Sequence, residues 1–501
     1  MSAADGWTRR GSLGAGAALL LASGARGVPA PAGRVPKVRS EAGDFVGTVD
    51  AGVMAFKGIR YGHAARFRAP VAVAMPGRTR AAQRFGPVCP QRSDYGPQDE
   101  DCLFLNVWTT RADPAVRRPV MVYIHGGAYA TGSVTDPLND GHRLAARGDC
   151  VVVTVNHRLN ALGYLYLARF DPRFPDSGNA GQLDLILALQ WVRANIAAFG
   201  GDPANVTLFG ESAGAMDVGL HLLSLGSRGL FAKAIEESGT PGFGTPPRSL
   251  AENERLGMAI AAKAGIAQTA AALRALPVAT LIAASEAIDV PDLADKSFIW
   301  LQAIVDGRFL TETPATILAK GGNPAPLIIG SNARELTLHG GISRADEAIA
   351  DAFGSNAALA RKAYGVNATP AADPRLGDLG LILSNDINFR CPVTVVSAAR
   401  ARAGQPVWQY QFDYTAPDAK PVTHGSEIRY VMTSAQDLEA GAPPMQAYWL
   451  AFVRTGAPSA AGLPNWKRYD LATKTYLGFV NGRPQPGNNL RAEVCNLRSA
   501  P

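Results

Sequence analysis

The sequence has no internal repeat, no run of more than two basic residues and, beyond residue 32, no apolar stretch long enough to span a membrane. A solenoid requires a repeated unit and a nucleic-acid interface requires clustered Lys and Arg, so neither class is favoured. The formal charge of +7 is instead spread along the chain. A composition of 47% hydrophobic and 18% charged residues predicts a globular protein with a sizeable core and no stable membrane insertion.

Cysteine is also scarce, since the chain has only five, an odd number that leaves at least one unpaired. Cys150 heads a strongly apolar run, where a thiol packs as a small hydrophobic group. The other four can pair. A Cys89–Cys102 bridge would close a short loop, and a Cys391–Cys495 bridge would then tie the C-terminal tail to the body of the protein.

The first 32 residues have the pattern of an export signal. Arg9 and Arg10 precede a short apolar stretch at 13–25, and small residues follow as candidate cleavage points. This order is typical of a signal peptide, and the paired arginines favour the twin-arginine route of bacteria. We therefore expect an exported protein, periplasmic or extracellular. The alternative is a disordered, alanine-rich tail.

Apolar runs of strand length alternate with helical patterns after this signal. The runs at 119–124, 151–155 and 206–209 are continuously apolar, which indicates strands covered on both faces, as in a parallel sheet. Further elements are predicted as strands at 232–236, 326–330 and 406–412, and as helices at 183–197 and from Ser212 to about 225.

This alternation predicts one α/β domain over residues 33–501, with a central, mostly parallel sheet and helices on both faces. Two helix-rich segments, near 245–320 and 342–402, interrupt the strand pattern. We interpret both as insertions that lie over the active site.

The segment Gly210-Glu211-Ser212-Ala213-Gly214 follows a predicted strand and opens a predicted helix. A G-x-S-x-G match alone is weak, because glycine is common in this chain. Between a strand and a helix, however, the serine lies on a sharp elbow, and the flanking glycines permit the turn. The helix N-terminus directs amide groups toward developing negative charge. Ser212 is therefore the candidate nucleophile.

A second loop suits the negative charge that attack on an ester carbonyl creates. His125-Gly126-Gly127-Ala128 comes directly after the strand at 119–124. Its small residues allow backbone amides to approach a substrate oxygen, as an oxyanion hole requires. The alternative is an ordinary glycine turn.

These motifs resemble those of the type-B carboxylesterases, the family that includes cholinesterases and bacterial para-nitrobenzyl esterases. The resemblance covers nearly all of the chain after the predicted signal. It rests on motifs in family order at residues 56–61, 100–106, 125–128, 178–181, 199–203 and 210–214. It implies an α/β-hydrolase fold and hydrolysis of carboxylic esters through an acyl-enzyme, with no metal or other cofactor.

The resemblance also implies the rest of a catalytic triad. Glu335, after the strand at 326–330, matches the triad acid, although both of its neighbours differ from the usual family pattern. Of the seven histidines, His424 lies in a segment similar to the catalytic histidine loop of the family, whereas His339 is too close to Glu335. The chain order Ser, Glu, His is that of α/β-hydrolases.

Other site residues follow from the same resemblance. The amides of Gly127, Ala128 and Ala213 are expected to form the oxyanion hole. Glu211, beside the nucleophile, has either a catalytic or a structural role. Phe243 is a candidate for the acyl pocket.

The resemblance further implies disulfides Cys89–Cys102 and Cys391–Cys495, with Cys150 free. The segment between Cys89 and Cys102 is short and has no tryptophan. Cholinesterases carry their choline-binding tryptophan in the corresponding loop, so acetylcholine is not the expected substrate.

We expect a small-molecule ester substrate. Two alternatives remain: a specialised lipid, toxin or amide hydrolase with the same triad, and a non-catalytic binding module of the neuroligin type. The second alternative normally loses triad residues, and all three are present here. The oligomeric state is left open.

Overall fold

A sheet of eleven strands forms the centre of the protein in a computed structural model, which describes residues 35–288, 290, 299–366, 372–417, 420–433 and 437–498. The predicted signal at 1–32 lies outside these residues. All described residues belong to one compact unit, Val35–Pro501. Among them, no helix has both the length and the apolarity needed to cross a bilayer.

The strands are β1 (Lys37–Ser40), β2 (Gly43–Val46), β3 (Thr48–Asp50), β4 (Val53–Arg60), β5 (Gly62–His63), β6 (Val71–Ala72), β7 (Thr79–Ala81), β8 (Phe104–Thr109), β9 (Arg118–Ile124), β10 (Val151–Val155), β11 (Gly201–Glu211), β12 (Lys233–Glu237), β13 (Leu327–Asn332), β14 (Val407–Phe412), β15 (Thr475–Phe479) and β16 (Gln485–Asn488).

The helices are α1 (His142–Gly148), α2 (Asn160–Tyr164), α3 (Ala180–Asn195), α4 (Ala213–Leu223), α5 (Leu250–Lys263), α6 (Ala270–Ala275), α7 (Val278–Glu286), α8 (Pro314–Ala319), α9 (Ala345–Phe353), α10 (Ala357–Tyr364), α11 (Leu379–Asn385), α12 (Cys391–Arg402), α13 (Ile428–Met432), α14 (Met445–Thr455) and α15 (Ala492–Cys495). A π-helical turn, Asp386–Arg390, joins α11 to α12.

The large sheet has the order β16-β15-β14-β13-β12-β11-β9-β10-β8-β4-β3. Neighbouring strands are parallel from β10 through β9 and β11 to β15, and antiparallel at both ends. The central strands are buried throughout, which explains their continuous hydrophobicity.

Each face of the sheet has its own core because side chains alternate along a strand. On β9, Val120 and Val122 join a cluster that includes Leu189 of α3. Met121, between them, joins another cluster that includes Trp449 of α14. Helices therefore cover both faces of the sheet.

The two predicted insertions are mostly helical. The first contains α5 to α8, and α5 begins with a capping box in which Ser249 and Glu252 bond reciprocally. The second contains α9 to α12 together with the π-helical turn. Trp300 from the first insertion and Phe389 from the second line the same cavity, above the carboxyl ends of the parallel strands.

Candidate active site

Ser212 lies on a sharp turn between β11 and α4. Its backbone has φ 57° and ψ −123°, a conformation that is costly for a residue with a side chain. A Cβ on Gly210 would lie 2.6 Å from the backbone of Gly214, and one on Gly214 would lie 2.2 Å from the Ile124 carbonyl oxygen. Both glycines are therefore needed for the chain to turn here, and the amide of Ser212 is held by the Glu237 carbonyl oxygen at 2.9 Å.

The structure brings Ser212 and Glu335 into contact with the two ring nitrogens of His424. His424 Nε2 is 2.7 Å from Ser212 Oγ, and His424 Nδ1 is 2.7 Å from Glu335 Oε2. The other carboxylate oxygen, Glu335 Oε1, accepts a 2.6 Å hydrogen bond from the Asn332 amide. Each of the three residues follows a different parallel strand, so their proximity depends on the order of the strands in the sheet.

Glu211 provides a second carboxyl group beside the ring of His424. Its Oε1 lies 3.4 Å from His424 Nε2, and its side chain is almost fully buried. Burial raises the pKa of the Glu211 carboxyl, while His424 acts in the opposite direction. Burial alone would lower the pKa of His424, but Glu211 and Glu335 together raise it above its ordinary value. The site therefore favours positive charge on the imidazole ring.

The glycine loop after β9 lies beside the nucleophile. Gly127 and Ala128 have φ 116° and 55° and line the same cavity as Ser212. Within the described part of the chain, neither amide donates a hydrogen bond. Ala213 is buried at the first position of α4, where amides have no partner inside the helix. The three amides are thus available to an oxygen near Ser212.

The cavity at Ser212 has a volume of about 470 Å³ and a mostly apolar wall. Its larger apolar side chains are Tyr129, Met216, Ile299, Trp300, Leu301, Leu336 and Phe389. Phe389 lies on the π-helical turn with its ring 5.3 Å from that of His424. Phe389 and Trp300 could not be recognised from the sequence, because neither belongs to a recognisable motif.

One further carboxylate reaches the cavity wall. Glu286, the last residue of α7, lines the cavity and forms an ion pair with Arg92, a residue of the loop between the cysteines of the first disulfide. Burial raises the pKa of Glu286 and Arg92 opposes that change. Among the described residues, no Lys or Arg lines this cavity.

Phe243, a candidate for the acyl pocket, is not among the residues that line the cavity at Ser212 in the described structure. Phe243 is buried in the core cluster beneath the sheet and borders two other cavities. A Cβ on Gly244 would lie 2.0 Å from the Asn388 carbonyl oxygen. The segment after Phe243 thus packs closely on the π-helical turn, and that turn carries Phe389, which lines the active-site cavity together with the aromatic side chains of Tyr129 and Trp300.

Two disulfides are present, Cys89–Cys102 and Cys391–Cys495, the pairs that the resemblance implied. Cys150 is a buried free thiol immediately before β10, and burial raises its pKa to about 12. The second bridge ties α15 to the start of α12, directly after the turn that carries Phe389.

Known proteins resemble this chain in both sequence and structure. The sequence model of the carboxylesterase family matches residues 34–498. The chain is 32% identical over 469 residues to the para-nitrobenzyl esterase of Bacillus subtilis (strain 168), covering 88% of this chain and 94% of that protein. It is also 32% identical over 441 residues to the fumonisin B1 esterase of Sphingopyxis macrogoltabida, covering 81% and 78%.

Among solved structures, a carboxylesterase of Geobacillus stearothermophilus aligns with a TM-score of 0.80 at 31% identity, covering 93% of this chain and 100% of that one. The predicted α/β-hydrolase fold, with its mostly parallel central sheet, is thereby confirmed. The chain belongs to the carboxylesterase family and is a serine hydrolase of carboxylic esters.

Proposed function

We propose that Ser212 is the nucleophile, His424 the general base and Glu335 the orienting acid of this esterase. The observation that carries the proposal is the pair of 2.7 Å contacts from the two ring nitrogens of His424, one to Ser212 Oγ and one to Glu335 Oε2. A triad is recognised by such geometry and not by position in the chain. An intact triad also argues against a non-catalytic binding module.

The reaction follows from these contacts. Neutral His424 takes the hydroxyl proton at Nε2 while Ser212 Oγ bonds to the ester carbonyl carbon. The tetrahedral intermediate collapses, the bond to the alcohol oxygen breaks, and Nε2 returns the proton to the leaving alcohol. Water then repeats the sequence on the acyl-enzyme, which releases the carboxylic acid and regenerates Ser212. Throughout, Glu335 stabilises the imidazolium and holds its ring orientation.

We assign the amides of Gly127, Ala128 and Ala213 to the oxyanion hole. The support is the lack of hydrogen-bond partners for the Gly127 and Ala128 amides among the described residues and the position of Ala213 at a helix N-terminus. Such donors act on charge that develops only in the transition state, so they lower the barrier without holding the substrate more tightly.

The cavity favours uncharged esters of moderate size. Its volume of about 470 Å³ suits a small molecule, and its wall is largely apolar. The charged side chains that line it in the described structure, apart from His424, are the carboxylates Glu211 and Glu286. An acyl group that carries its own carboxylate would meet like charge there. A panel of lipid esters, toxin esters and amides tests the specialised alternatives.

The central experiment is the Ser212→Ala variant assayed with a chromogenic neutral ester. We expect no turnover above background, and a phosphonate label to attach to Ser212 in the wild-type enzyme. Ser224→Ala is the matched control, because Ser224 caps the other end of α4 and its hydroxyl bonds to the Phe309 carbonyl oxygen, far from the triad. Full activity of Ser212→Ala would overturn the assignment.

We also propose export to the periplasm or the extracellular space by the twin-arginine route. The paired arginines, the short apolar stretch and the small residues after it support this. N-terminal sequencing of the exported protein should find a start near residue 26 or 33. Replacing both arginines by lysine should retain the protein in the cytoplasm, whereas an exported product that begins at Met1 would contradict the proposal.

A further inference from the structure

Asn332 lies where the acid segment and the histidine segment of the site meet. It is the last residue of β13 and its side chain is fully buried. Its backbone amide donates to Glu335 Oε1 at 2.6 Å. The backbone of this residue therefore already holds one member of the triad.

The side chain of Asn332 holds the segment of a second member. Its Nδ2 donates to the Thr423 carbonyl oxygen at 3.1 Å and to Glu427 Oε2 at 2.5 Å. Thr423 immediately precedes His424, and Glu427 lies three residues after it. A side-chain amide has two hydrogens, so both are used, one on each side of the histidine.

The histidine depends on such contacts because no regular element carries it. His424 lies in the connection between β14, which ends at Phe412, and α13, which begins at Ile428. Loops are less rigid than the elements they join, unless side chains tie them down. A buried side chain at the end of a central strand is a rigid anchor for that purpose.

The contacts of the Asn332 side chain are made by its amino group and not by its carbonyl oxygen. Asn332 Oδ1 has no hydrogen-bond partner among the described residues, whereas Nδ2 has two. On the far side, Glu427 Oε1 accepts a 2.7 Å hydrogen bond from Ser238 Oγ, and Ser238 lines the active-site cavity. The network thus runs from β13 through Glu427 to the segment after β12.

We propose that Asn332 is a positioning residue that sets the His424 ring in register with Glu335. The proposal rests on the proposed function of these two residues as base and acid. Asn332 does not touch the substrate. It acts through the Thr423 carbonyl oxygen and through Glu427, which together fix where the histidine segment crosses the end of β13.

The first test compares Asn332→Ala with the wild-type enzyme on a neutral ester. A displacement of the base by about 1 Å can cost on the order of 10²-fold in rate, so we expect kcat to fall by that order. Because the cavity wall is untouched, KM should stay within about twofold. The acid limb of kcat/KM should also move to lower pH, because a displaced imidazolium is stabilised less by the carboxylates around it.

Asn195→Ala is the matched control for a purely structural effect. Asn195 is also buried, donates to the Trp191 carbonyl oxygen at 2.9 Å and accepts from the Ala42 amide at 2.8 Å, remote from the triad. This variant should lower the melting temperature but leave kcat and the pH profile unchanged. If both variants lower Tm alike and neither lowers kcat, Asn332 is structural only and the proposal fails.

If Asn332→Ala folds poorly, variants that exchange the hydrogen-bond donor and acceptor between positions 332 and 427 provide a second test. Asn332→Asp places a second carboxylate beside that of Glu427 in place of a donor, so the melting temperature of this variant should fall. The double variant Asn332→Asp/Glu427→Gln restores a hydrogen bond between the two positions with opposite polarity, but leaves the Thr423 carbonyl oxygen without its donor. We expect Tm to recover while kcat stays low. Recovery of both would show that the Thr423 contact has no role in positioning.

The Ser212→Ala variant distinguishes a failure of the proposed triad from a failure of the proposed role of Asn332. If it remains active, the proposed triad is wrong and Asn332 has no base to position. If it is inactive while Asn332→Ala keeps the wild-type kcat and pH profile, the triad stands and only the role of Asn332 is refuted.

Discussion

Glu211 Oε1 approaches His424 Nε2 to 3.4 Å, at the same ring nitrogen that contacts Ser212 Oγ. Glu335 contacts the other ring nitrogen. The imidazole therefore lies between two buried carboxylates, and both stabilise its protonated form. Since this form arises during attack, the arrangement favours the transition state. It also raises the pH at which His424 loses its proton in the free enzyme.

The first prediction concerns the pH dependence of activity. Only the neutral imidazole can act as base, so kcat/KM should rise with pH through the pKa of His424. Glu211→Gln removes a neighbouring negative charge and so should lower that pKa, which shifts the acid limb to lower pH by about one unit or more. The measurement is kcat/KM against pH for a neutral ester.

An equal change of charge elsewhere provides the control for this shift. Glu254→Gln breaks an ion pair with the exposed Arg169 on the outside of α5 and should leave the acid limb in place. An unchanged limb in Glu211→Gln would mean that Glu211 does not influence His424 and serves only the packing of the elbow.

The second prediction concerns the oxyanion loop. Gly127 has φ 116°, and a Cβ there would lie 2.2 Å from the Thr131 carbonyl oxygen. Gly127→Ala should therefore displace the loop amides, and kcat should fall on the order of 10²-fold. Gly52→Ala is the control, because Gly52 also has a positive φ but has nothing within 4 Å of the added Cβ. Similar kcat values for the two variants would rule out a special role for the loop.

The third prediction concerns charge selection by Glu286. The p-nitrophenyl esters of pentanoic acid and of glutaric acid differ by one terminal carboxylate, and the wild-type enzyme should prefer the former. Glu286→Gln should narrow the ratio of their kcat/KM values by about tenfold, because it removes a like charge from the cavity wall. Glu312→Gln, on an exposed ion pair with Lys320, should not change the ratio. A ratio that widens in Glu286→Gln would reverse this assignment.

The fourth prediction compares the two disulfides. Cys391–Cys495 spans 104 positions of sequence and Cys89–Cys102 spans 13. In the chain-entropy view the longer loop contributes about 4.7 kcal/mol and the shorter about 3 kcal/mol. Cys391→Ala/Cys495→Ala should therefore lower the midpoint of denaturant unfolding more than Cys89→Ala/Cys102→Ala does. The opposite order would show that local packing, not loop closure, dominates.

Elements that depend on local pattern could be predicted closely from the sequence. The strand at 151–155 has the predicted bounds, since a continuous run of β-branched residues between turns needs no distant partner to be recognised. Helix α3 begins at Ala180, three residues before the predicted start at 183. Gly181 disfavours a helix locally, but a Cβ there would lie 2.7 Å from the Arg158 carbonyl oxygen. A tertiary contact thus overrides a local propensity.

The site residues also differ in whether local pattern or tertiary contacts identify them. Ser212 could be found because a strand, a tight turn and a helix surround it within a few residues. Glu335 and His424 needed the family resemblance, because nothing in their immediate neighbourhood distinguishes them from other acids and histidines. Phe389 lines the cavity at Ser212 and Phe243 does not, a difference that the sequence could not reveal because the direction of a ring depends on how the backbone of one insertion packs on another.

The amino-acid sequence by itself determined the alternation of strands and helices, the elbow at Ser212 and the glycine loop at 125–128, because these rest on periodicity and on local backbone conformation. Only the tertiary structure decided the contacts of His424 with Ser212 and Glu335, which lie 212 and 89 positions away. It also decided the approach of Glu211 and the bridge made by Asn332. Such contacts depend on the order of parallel strands in the sheet, which brings distant carboxyl ends to one edge.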